Sequence, residues 1–217
     1  GTLQCDNGAF DNSEGDALLA QSAEVKGDVF LRDGFKATGR VSLLGATIGG
    51  TLDCDNGAFD NSGDYALCAW NAEIKGSVLL RNGFKAKGIV SFVHTTIDDM
   101  FELQKVSDRN EMRLDLRFVT IRTLADEENS WPQSGKLNLD GFSYEKISQG
   151  SPVNSKQRLK WLRLQNQETF LPQPYEQLAQ VLQASGHEEA ATEVLIGKQE
   201  DRRRYGGLNG IRWGWNR

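Results

Sequence analysis

The sequence has little proline, histidine or cysteine: 4 prolines, 2 histidines and 3 cysteines occur among 217 residues. His94 and His187 lie in different segments, which gives no support to a serine–histidine–aspartate arrangement. Cys5, Cys54 and Cys68 show no metal-ligand spacing and leave one thiol over, so we expect a reducing compartment. No apolar run approaches the roughly 18 residues of a membrane helix, and no signal peptide opens the chain. These absences leave no metal motif or membrane span in the sequence.

Positive charge is scarce in the first half of the chain. Residues 1–100 contain 8 Lys and Arg against 14 Asp and Glu, whereas residues 101–217 contain 17 against 16. A protein that wraps nucleic acid needs a basic surface to neutralise phosphates. We therefore predict no nucleic-acid partner.

What the sequence does contain is an internal repeat. Residues 1–13 return as residues 50–62 with a single difference, and the offset of 49 continues to Gly39 and Gly88. Inside each 49-residue unit lie two shorter apolar frames, and further frames follow the second unit. The steps between frame ends are 23, 26, 23, 24 and 23 residues, the ends being Val25, Ile48, Ile74, Ile97, Ile121 and Tyr144. A fixed period of this length is typical of a solenoid.

The frames have the period of short strands. Apolar residues alternate, take one step of three at a corner, and alternate again. The pattern predicts a mainly β fold: a right-handed parallel β-helix of about six 23–26-residue coils with a C-terminal α-helical cap. Helical and leucine-rich repeats fit less well, because the coils are rich in Gly, Thr, Val and Asp and lack an Asn or Cys ladder in every repeat. The predicted core ladder is Leu3, Cys5, Val25, Leu31, Ile48, Leu52, Cys54, Ile74, Leu80, Ile97, Leu103 and Ile121.

The chain divides into three predicted parts. Residues 1–150 form the β-helix solenoid, residues 151–206 a helical cap with a helix-turn-helix hairpin, and residues 207–217 a basic aromatic tail. In the cap we expect an amphipathic helix over 155–168, then helices from Tyr175 to Ala184 and from Glu188 to about Arg204.

The two ends of the solenoid differ. A cap is physically required where strand edges and apolar rungs end, so capping is the favoured role for the helices and peptide binding the alternative. Leu3 and Cys5 occupy inward positions without any polar leader. Two interpretations follow: a trimmed chain, which we favour, or a neighbouring molecule that covers this end.

The coils resemble a bacterial repeat family with Gly-Ala-x-Ile-Gly-Gly-x-Leu-x-Cys units, here residues 45–54. The likeness continues at Trp131-Pro132, at residues 174–179 and at residues 194–199. Members are commonly labelled membrane-associated oxidoreductases. The resemblance implies a pentapeptide-like β-helix with a C-terminal helical hairpin, held near a bacterial membrane. No G-x-G-x-x-G fingerprint accompanies it, so we predict no cofactor.

The end of the chain interleaves cations with interfacial aromatics. Basic residues attract anionic headgroups, and Trp and Tyr favour the membrane–water boundary. A helix C-terminus with dipole-matched arginines is the alternative interpretation. The predicted membrane-proximal tail comprises Arg202, Arg203, Arg204, Tyr205, Trp213 and Trp215.

Three other clusters invite chemical interpretations. The cysteines suggest redox chemistry, but Cys5 and Cys54 are predicted about 9.6 Å apart with Leu31 between them, beyond disulfide reach, and Cys68 is predicted to point outward. The Asp-rich loops at 6–13 and 55–62 suggest calcium, although tight turns explain them better. A polysaccharide-cleaving patch of acids is the third, formed from Asp98, Asp99, Glu102 and Asp115. We predict no metal site and no catalytic residue.

The sequence favours a non-catalytic scaffold or protein-interaction module over an enzyme. Its partners are predicted to be an unknown protein and a membrane surface. It is predicted to be cytoplasmic, peripheral to the inner membrane or anchored there through a region beyond this chain. The alternatives are an oxidoreductase, as the family label suggests, a pentapeptide-like DNA mimic that binds a DNA-handling enzyme, and a carbohydrate-active β-helix.

Overall fold

The computed structural model describes residues 1–166 and 168–205. Over these residues the chain is a parallel β-solenoid of about six coils followed by three helices. The strands are β1 (Leu3–Gln4), β2 (Ala9–Leu19), β3 (Glu24–Val25), β4 (Val29–Phe30), β5 (Lys36–Ser42), β6 (Thr47–Ile48), β7 (Leu52–Asp53), β8 (Ala58–Cys68), β9 (Glu73–Ile74), β10 (Val78–Arg81), β11 (Lys85–Ser91), β12 (Thr96–Gln104), β13 (Met112–Asp115), β14 (Thr120–Asp126), β15 (Leu137–Asn138) and β16 (Ser143–Ile147). The helices are α1 (Ser155–Leu162), α2 (Gln173–Ala184) and α3 (Glu188–Tyr205), and a 3₁₀ turn spans Glu128–Ser130.

Each coil pairs in parallel with the next, which confirms the predicted fold class. We number coils one to six as residues 1–26, 27–49, 50–75, 76–98, 99–121 and 122–144. One sheet carries the order β1-β4-β7-β10-β12-β9-β6-β3, with β14 and β16 continuing from β12, and the other carries β15-β13-β11-β8-β5-β2. The register follows the repeat, because Leu3 pairs with Val29 and Val29 with Leu52. The 49-residue offset is therefore two coils.

Inward side chains of successive coils form continuous columns. Of the twelve predicted ladder residues, nine are buried with at most 3% of their surface exposed: Leu31, Ile48, Leu52, Cys54, Ile74, Leu80, Ile97, Leu103 and Ile121. The other three, Leu3, Cys5 and Val25, belong to coil one and are only partly buried. Burial of each aliphatic side chain contributes about 1.5–3 kcal/mol, so the columns are the main source of stability.

A stack of phenylalanines runs through the first four coils. The rings of Phe10, Phe35, Phe59 and Phe84 follow one another with centroids 5.3–5.5 Å apart and tilts near 40°. Tilted contacts at this spacing add about 0.5–1.5 kcal/mol per pair beyond the burial of area. The stack repeats one ring geometry in these four coils and so reinforces their register.

Outward charges alternate from coil to coil. Asp6, Arg32, Asp55 and Arg81 occupy one outward column, and each arginine bonds to carboxylates in the coils on both sides. Arg32 reaches Asp6 and Asp53, while Arg81 reaches Asp55 and Glu102. Identical coils would place like charges only about 4.8 Å apart. The two-coil period of the sequence avoids this repulsion.

The helical end differs in part from the prediction. Helix α1 stops at Leu162 rather than continuing to 168, because the chain turns extended and Gln165 forms a parallel bridge with Leu137. Pro174 lies in the first turn of α2, where a missing N–H has no cost. In the hairpin, Leu195 is 41% exposed. Ala191 and Val194 of the same helix are buried.

The cap satisfies backbone groups at the last coil. The side-chain amide of Gln173 accepts a bond from the Gly141 N–H and donates one to the Phe142 carbonyl. Gln177 donates to the Tyr144 carbonyl, and the Leu164 carbonyl accepts from the Gly135 N–H. An uncovered strand edge would leave these groups as a template for further pairing. The helices thus close the edge as well as the apolar core.

A buried ion pair joins the cap to the solenoid. The column that contains Leu80 and Leu103 ends at Asp126, whose carboxylate is 2% exposed. Arg158 of α1, fully buried, bonds to both oxygens of Asp126 at 2.8 Å. The Trp131 indole N–H also donates to Asp126, and the Arg158 Nε donates to the Pro152 carbonyl. We call this arrangement the latch.

Removing one partner of the latch is predicted to destabilise the whole fold. Arg158→Ala leaves the Asp126 carboxylate buried and unpaired, so we expect a loss of about 3–5 kcal/mol in the free energy of unfolding, measured by urea denaturation. The double variant Asp126→Leu/Arg158→Leu should recover most of the loss, since no charge stays buried.

The matched control is Lys160→Ala on the same helix. Lys160 is 63% exposed and pairs with Glu128 at the surface, so its removal should change stability by less than about 1 kcal/mol. Equal losses for Arg158→Ala and Lys160→Ala would contradict the role of the latch.

Candidate interaction surface

A corner of the solenoid carries apolar side chains on its outer surface. Backbone hydrogen bonds stack Leu44, Trp70 and Val93 in one outward column, where the Gly45 N–H donates to the Trp70 carbonyl and the Asn71 N–H to the Val93 carbonyl. Each of the three is partly exposed. The Trp70 indole N–H donates to the Ser91 hydroxyl at 2.6 Å, and its ring meets Tyr65 edge-on with centroids 5.0 Å apart. The tryptophan is therefore held in one orientation.

The next column at this corner contains a stacked pair of rings. His94 and Phe118 lie parallel, with centroids 4.7 Å apart and planes 7° apart. Both have positive φ, 56° each, in positions where coil three has Asn71 and the last coil has Gly141. Histidine adopts this backbone conformation fairly often, but phenylalanine does so rarely, so Phe118 is the unusual residue of the pair. A Cβ at Gly141 would collide with the Phe118 ring, so glycine there makes room for the stack.

These residues form one contiguous patch, which we call the aromatic corner: Leu44, Trp70, Val93, His94 and Phe118. Phe118 is 47% exposed although it is a large apolar residue. Singly scattered apolar residues on a surface are normal, but contiguous apolar patches mark binding sites in soluble proteins. The patch spans coils two to five, and its alignment depends on the coil register. Sequence reasoning missed it because outward positions of different coils are 23–26 residues apart.

The acids considered for polysaccharide cleavage do not converge. Asp98 lies 3.5 Å from the Lys75 ammonium, and Asp99 accepts a bond from the Ser77 hydroxyl. Glu102 is paired with Arg81 on the first sheet, whereas Asp115 lies on β13 of the other sheet and is bonded to Arg117. Each acid thus has its own local partner, and the two sheets separate Asp115 from the rest.

The side chains of the Asp-rich loops form hydrogen bonds with other groups of the same chain. Asp6 and Asp55 bond to arginines of the following coils, and Asn12 and Asn61 donate to carbonyls four residues along. Within residues 1–166 and 168–205, no three His, Cys, Asp or Glu side chains gather in a geometry that holds a metal ion.

The cysteines lie apart as free thiols. Cys5 and Cys54 occupy the same column with Leu31 between them, and Cys54 is fully buried. Cys68 is 5% exposed even though it alternates with the inward Leu67 and Ala69, and it stands in the column of Ser42 and Ser91. Burial raises the pKa of the Cys5 and Cys68 thiols and raises that of Cys54 well above its ordinary value. Reactive cysteines have lowered pKa values, so this trend favours structural roles.

The cap contributes a second, shallower surface. A groove of about 450 Å³ runs between α2 and α3, with Ala179 and Ala191 at its floor and Glu176, Gln180 and Leu195 among its lining residues. This is the surface that the peptide-binding alternative would use.

The basic end of α3 is accessible. Arg202, Arg203 and Arg204 form the last helical turn and are exposed, and the Arg204 guanidinium lies 5.9 Å from the Tyr205 ring centroid. Trp213 and Trp215 of the predicted tail lie outside the described residues. No helix in the described part of the chain is both long and apolar enough to cross a bilayer.

Comparisons of the chain with family models, with curated proteins and with solved structures find no match. The parallel solenoid implied by the family resemblance is confirmed by the structure. The functional label attached to that resemblance gains no support from these comparisons.

The three thiols are predicted to react in order of burial. Because burial raises each pKa, the thiolate fraction at pH 7.5 is small and the reaction with Ellman's reagent should be slow, quickening as the pH rises. Cys5, which is partly exposed, should react first, and Cys54 only after unfolding in guanidinium. Peptide mass spectrometry of the modified protein identifies the sites, with Cys5→Ser as control. Equal rates for Cys5 and Cys54 in the folded protein would refute the prediction.

Proposed function

We propose that the protein is a non-catalytic interaction module that presents the aromatic corner to a protein partner. The observation that carries the proposal is the contiguous outward patch from Leu44 to Phe118, with the His94–Phe118 stack at its exposed end. Aromatic side chains dominate the binding energy of protein interfaces, and a few of them at the centre of a patch suffice.

Rigidity of the patch supports this role. Trp70 is tied to Ser91, and Phe118 is wedged over Gly141, so neither ring needs to be ordered when a partner arrives. Ordering a flexible side chain at an interface costs about 0.5–1.5 kcal/mol, and a preformed surface avoids that loss. Arg117 and Asp140 adjoin the patch and provide the polar rim that interfaces commonly have.

The alternative functions have less support from these contacts. Redox chemistry through cysteine would require thiols with lowered pKa values, and the pKa values here are raised. DNA mimicry requires free carboxylates, whereas Asp6, Asp53 and Asp55 are neutralised by arginines of neighbouring coils. Cleavage of polysaccharides would need opposed acids, and the candidate acids are dispersed.

The aromatic corner can be tested by replacing its residues with those that the chain has at the equivalent positions of other coils. Phe118→Asn introduces the residue found at position 71, and Trp70→Gln the residue found at position 21, so both should preserve the fold. A protein that cross-links to the wild type in native extract, identified and then purified, should bind each variant at least tenfold more weakly.

Ile196→Ser serves as the control, because Ile196 is 55% exposed but lies on α3 away from the corner. It should leave the affinity unchanged. If Phe118→Asn and Trp70→Gln bind every interacting protein as tightly as the wild type, the proposed function fails.

A second role, association with an anionic membrane surface, is favoured by the exposed arginines that end α3. Each cation near a charged bilayer contributes about 1 kcal/mol, so Arg202→Gln/Arg203→Gln/Arg204→Gln should reduce binding to phosphatidylglycerol-containing vesicles more than tenfold in a sedimentation assay. The control removes equal charge from the solenoid through Lys36→Gln/Lys85→Gln/Lys87→Gln. Equal losses for both triple variants, or binding to neutral phosphatidylcholine vesicles alone, would exclude this role.

A further inference from the structure

The apolar surface of the aromatic corner continues onto the second sheet. Tyr65 of β8 pairs with Ile89 of β11, and both side chains are partly exposed. The Tyr65 ring meets Trp70 of the aromatic corner edge-on, with centroids 5.0 Å apart. Tyr65 and Ile89 therefore extend the aromatic corner towards the outward face of β13.

This extension exists in only one of the two 49-residue units. In the first unit the equivalent positions are Asp16 and Arg40, whose side chains form an ion pair. The first unit also has Gln21 at the position of Trp70. The second unit thus departs from its own repeat at three neighbouring surface positions, and each departure makes the surface more apolar.

A cleft of about 280 Å³ adjoins Ile89 on the side away from the aromatic corner. Its charged lining residues are Lys87, Glu111, Arg113 and Lys136. The Lys87 ammonium lies 3.5 Å from Asp60, so the other two cations face the single carboxylate of Glu111. We call this site the basic cleft, and it keeps one positive charge in excess.

The two remaining cations of the basic cleft are neighbours in one outward column. Leu114 pairs with Leu137, so the residues before them, Arg113 and Lys136, lie over one another at about 4.8 Å. Like charges opposite each other on paired strands are destabilising. An anionic group bound between Arg113 and Lys136 would turn this repulsion into attraction.

Arg113 differs in this respect from the arginines of the first sheet. Arg32 and Arg81 each bond to carboxylates in the coils on both sides. Arg113 is exposed and forms no ion pair with any residue of 1–166 or 168–205. A local rule that a protein follows elsewhere is most often broken at a functional site.

We propose that the partner of the aromatic corner carries a carboxylate that binds in the basic cleft, next to an apolar side chain that packs on Trp70. This inference rests on the proposed function, because it names the chemistry of the partner at the same surface. Charge-assisted hydrogen bonds from arginine and lysine to a carboxylate are about twice as strong as neutral ones. A single carboxylate matches the one excess charge of the cleft.

The strand geometry gives the spacing of the two partner groups. Arg117 belongs to the outward column of Trp70 and Val93, and it follows Arg113 by four residues. Four residues of extended chain span at most about 13 Å. The expected partner segment therefore has an aromatic or aliphatic residue about four positions away from an Asp or Glu.

A short peptide with this spacing tests the proposal on the full chain. The probe is acetyl-Trp-Gly-Gly-Gly-Glu-amide, and its matched controls have Gln or Lys in place of Glu. Binding is followed by NMR through the indole N–H resonance of Trp70, which the Trp70→Gln variant identifies. We expect a saturable shift, with the Glu peptide at least fivefold tighter than the Gln peptide.

Charge reversal locates the carboxylate. Arg113→Glu/Lys136→Glu should bind the Glu peptide at least tenfold more weakly than the wild type does, and the Lys peptide more tightly. The matched control, Lys36→Glu/Lys85→Glu, reverses two exposed cations elsewhere on the same sheet. Charges beyond about 8 Å are largely screened in 0.15 M salt, so this control should change either affinity by less than twofold.

A structural role for the two cations would show in stability. Arg113→Gln/Lys136→Gln removes a repulsion, so this variant should unfold at the temperature of the wild type or higher. The proposal is overturned if this variant unfolds at a lower temperature, if the Glu and Gln peptides bind alike or leave the Trp70 resonance unshifted, or if both charge-reversed variants lose binding equally. When the cross-linked partner still needs Trp70 and Phe118 despite such a result, only the carboxylate assignment fails and the proposed function stands.

Discussion

The structure depends on parallel stacking of the coils, in which paired residues of successive coils lie over one another at about one strand spacing. This constraint turns a linear repeat into columns, so an inward Leu contacts other inward aliphatics and a Phe contacts other Phe rings. It applies equally to the outer surface. In one outward column the aspartates Asp6 and Asp55 alternate with the arginines Arg32 and Arg81, so neighbouring charges attract each other. In another column the rings of His94 and Phe118 stack on each other. The apolar core, the alternating outward charges and the aromatic corner therefore all depend on the same register between coils.

The two ends of the described stack differ in the contacts that cover them. At the C-terminal end the glutamines of α2 bond to backbone groups of the last coil, and the latch anchors α1 beneath them. A buried ion pair adds little net stability. Removing one of its charges is nevertheless strongly destabilising, because the other charge then stays buried without a partner. Asp126 thus ends the apolar column and ties the cap to the solenoid through Arg158. At the other end the columns finish in partly exposed Leu3, Phe10 and Val25.

The proposed roles rest on the stacked architecture. Paired residues of successive coils support one another, so we infer that the side chains of the aromatic corner are ordered before any partner binds. The basic residues that end α3 form a separate, electrostatic feature. None of these surfaces requires a catalytic group.

The sequence by itself determined the coil length, the β class, the inward positions and the helical hairpin, because the 49-residue repeat and the alternating apolar pattern are local and directly readable. It also identified Arg202, Arg203 and Arg204 as a basic cluster. Only the tertiary structure decided which outward residues meet, since Trp70 meets Val93, and His94 meets Phe118, across more than twenty residues of chain. The latch could not be predicted from the sequence either. Asp126 and Arg158 have the pattern of ordinary surface charges, and only the packing of the cap on the solenoid buries both and joins them. The early end of α1 has the same origin, because the edge of the last coil competes for the backbone that a helix would have used.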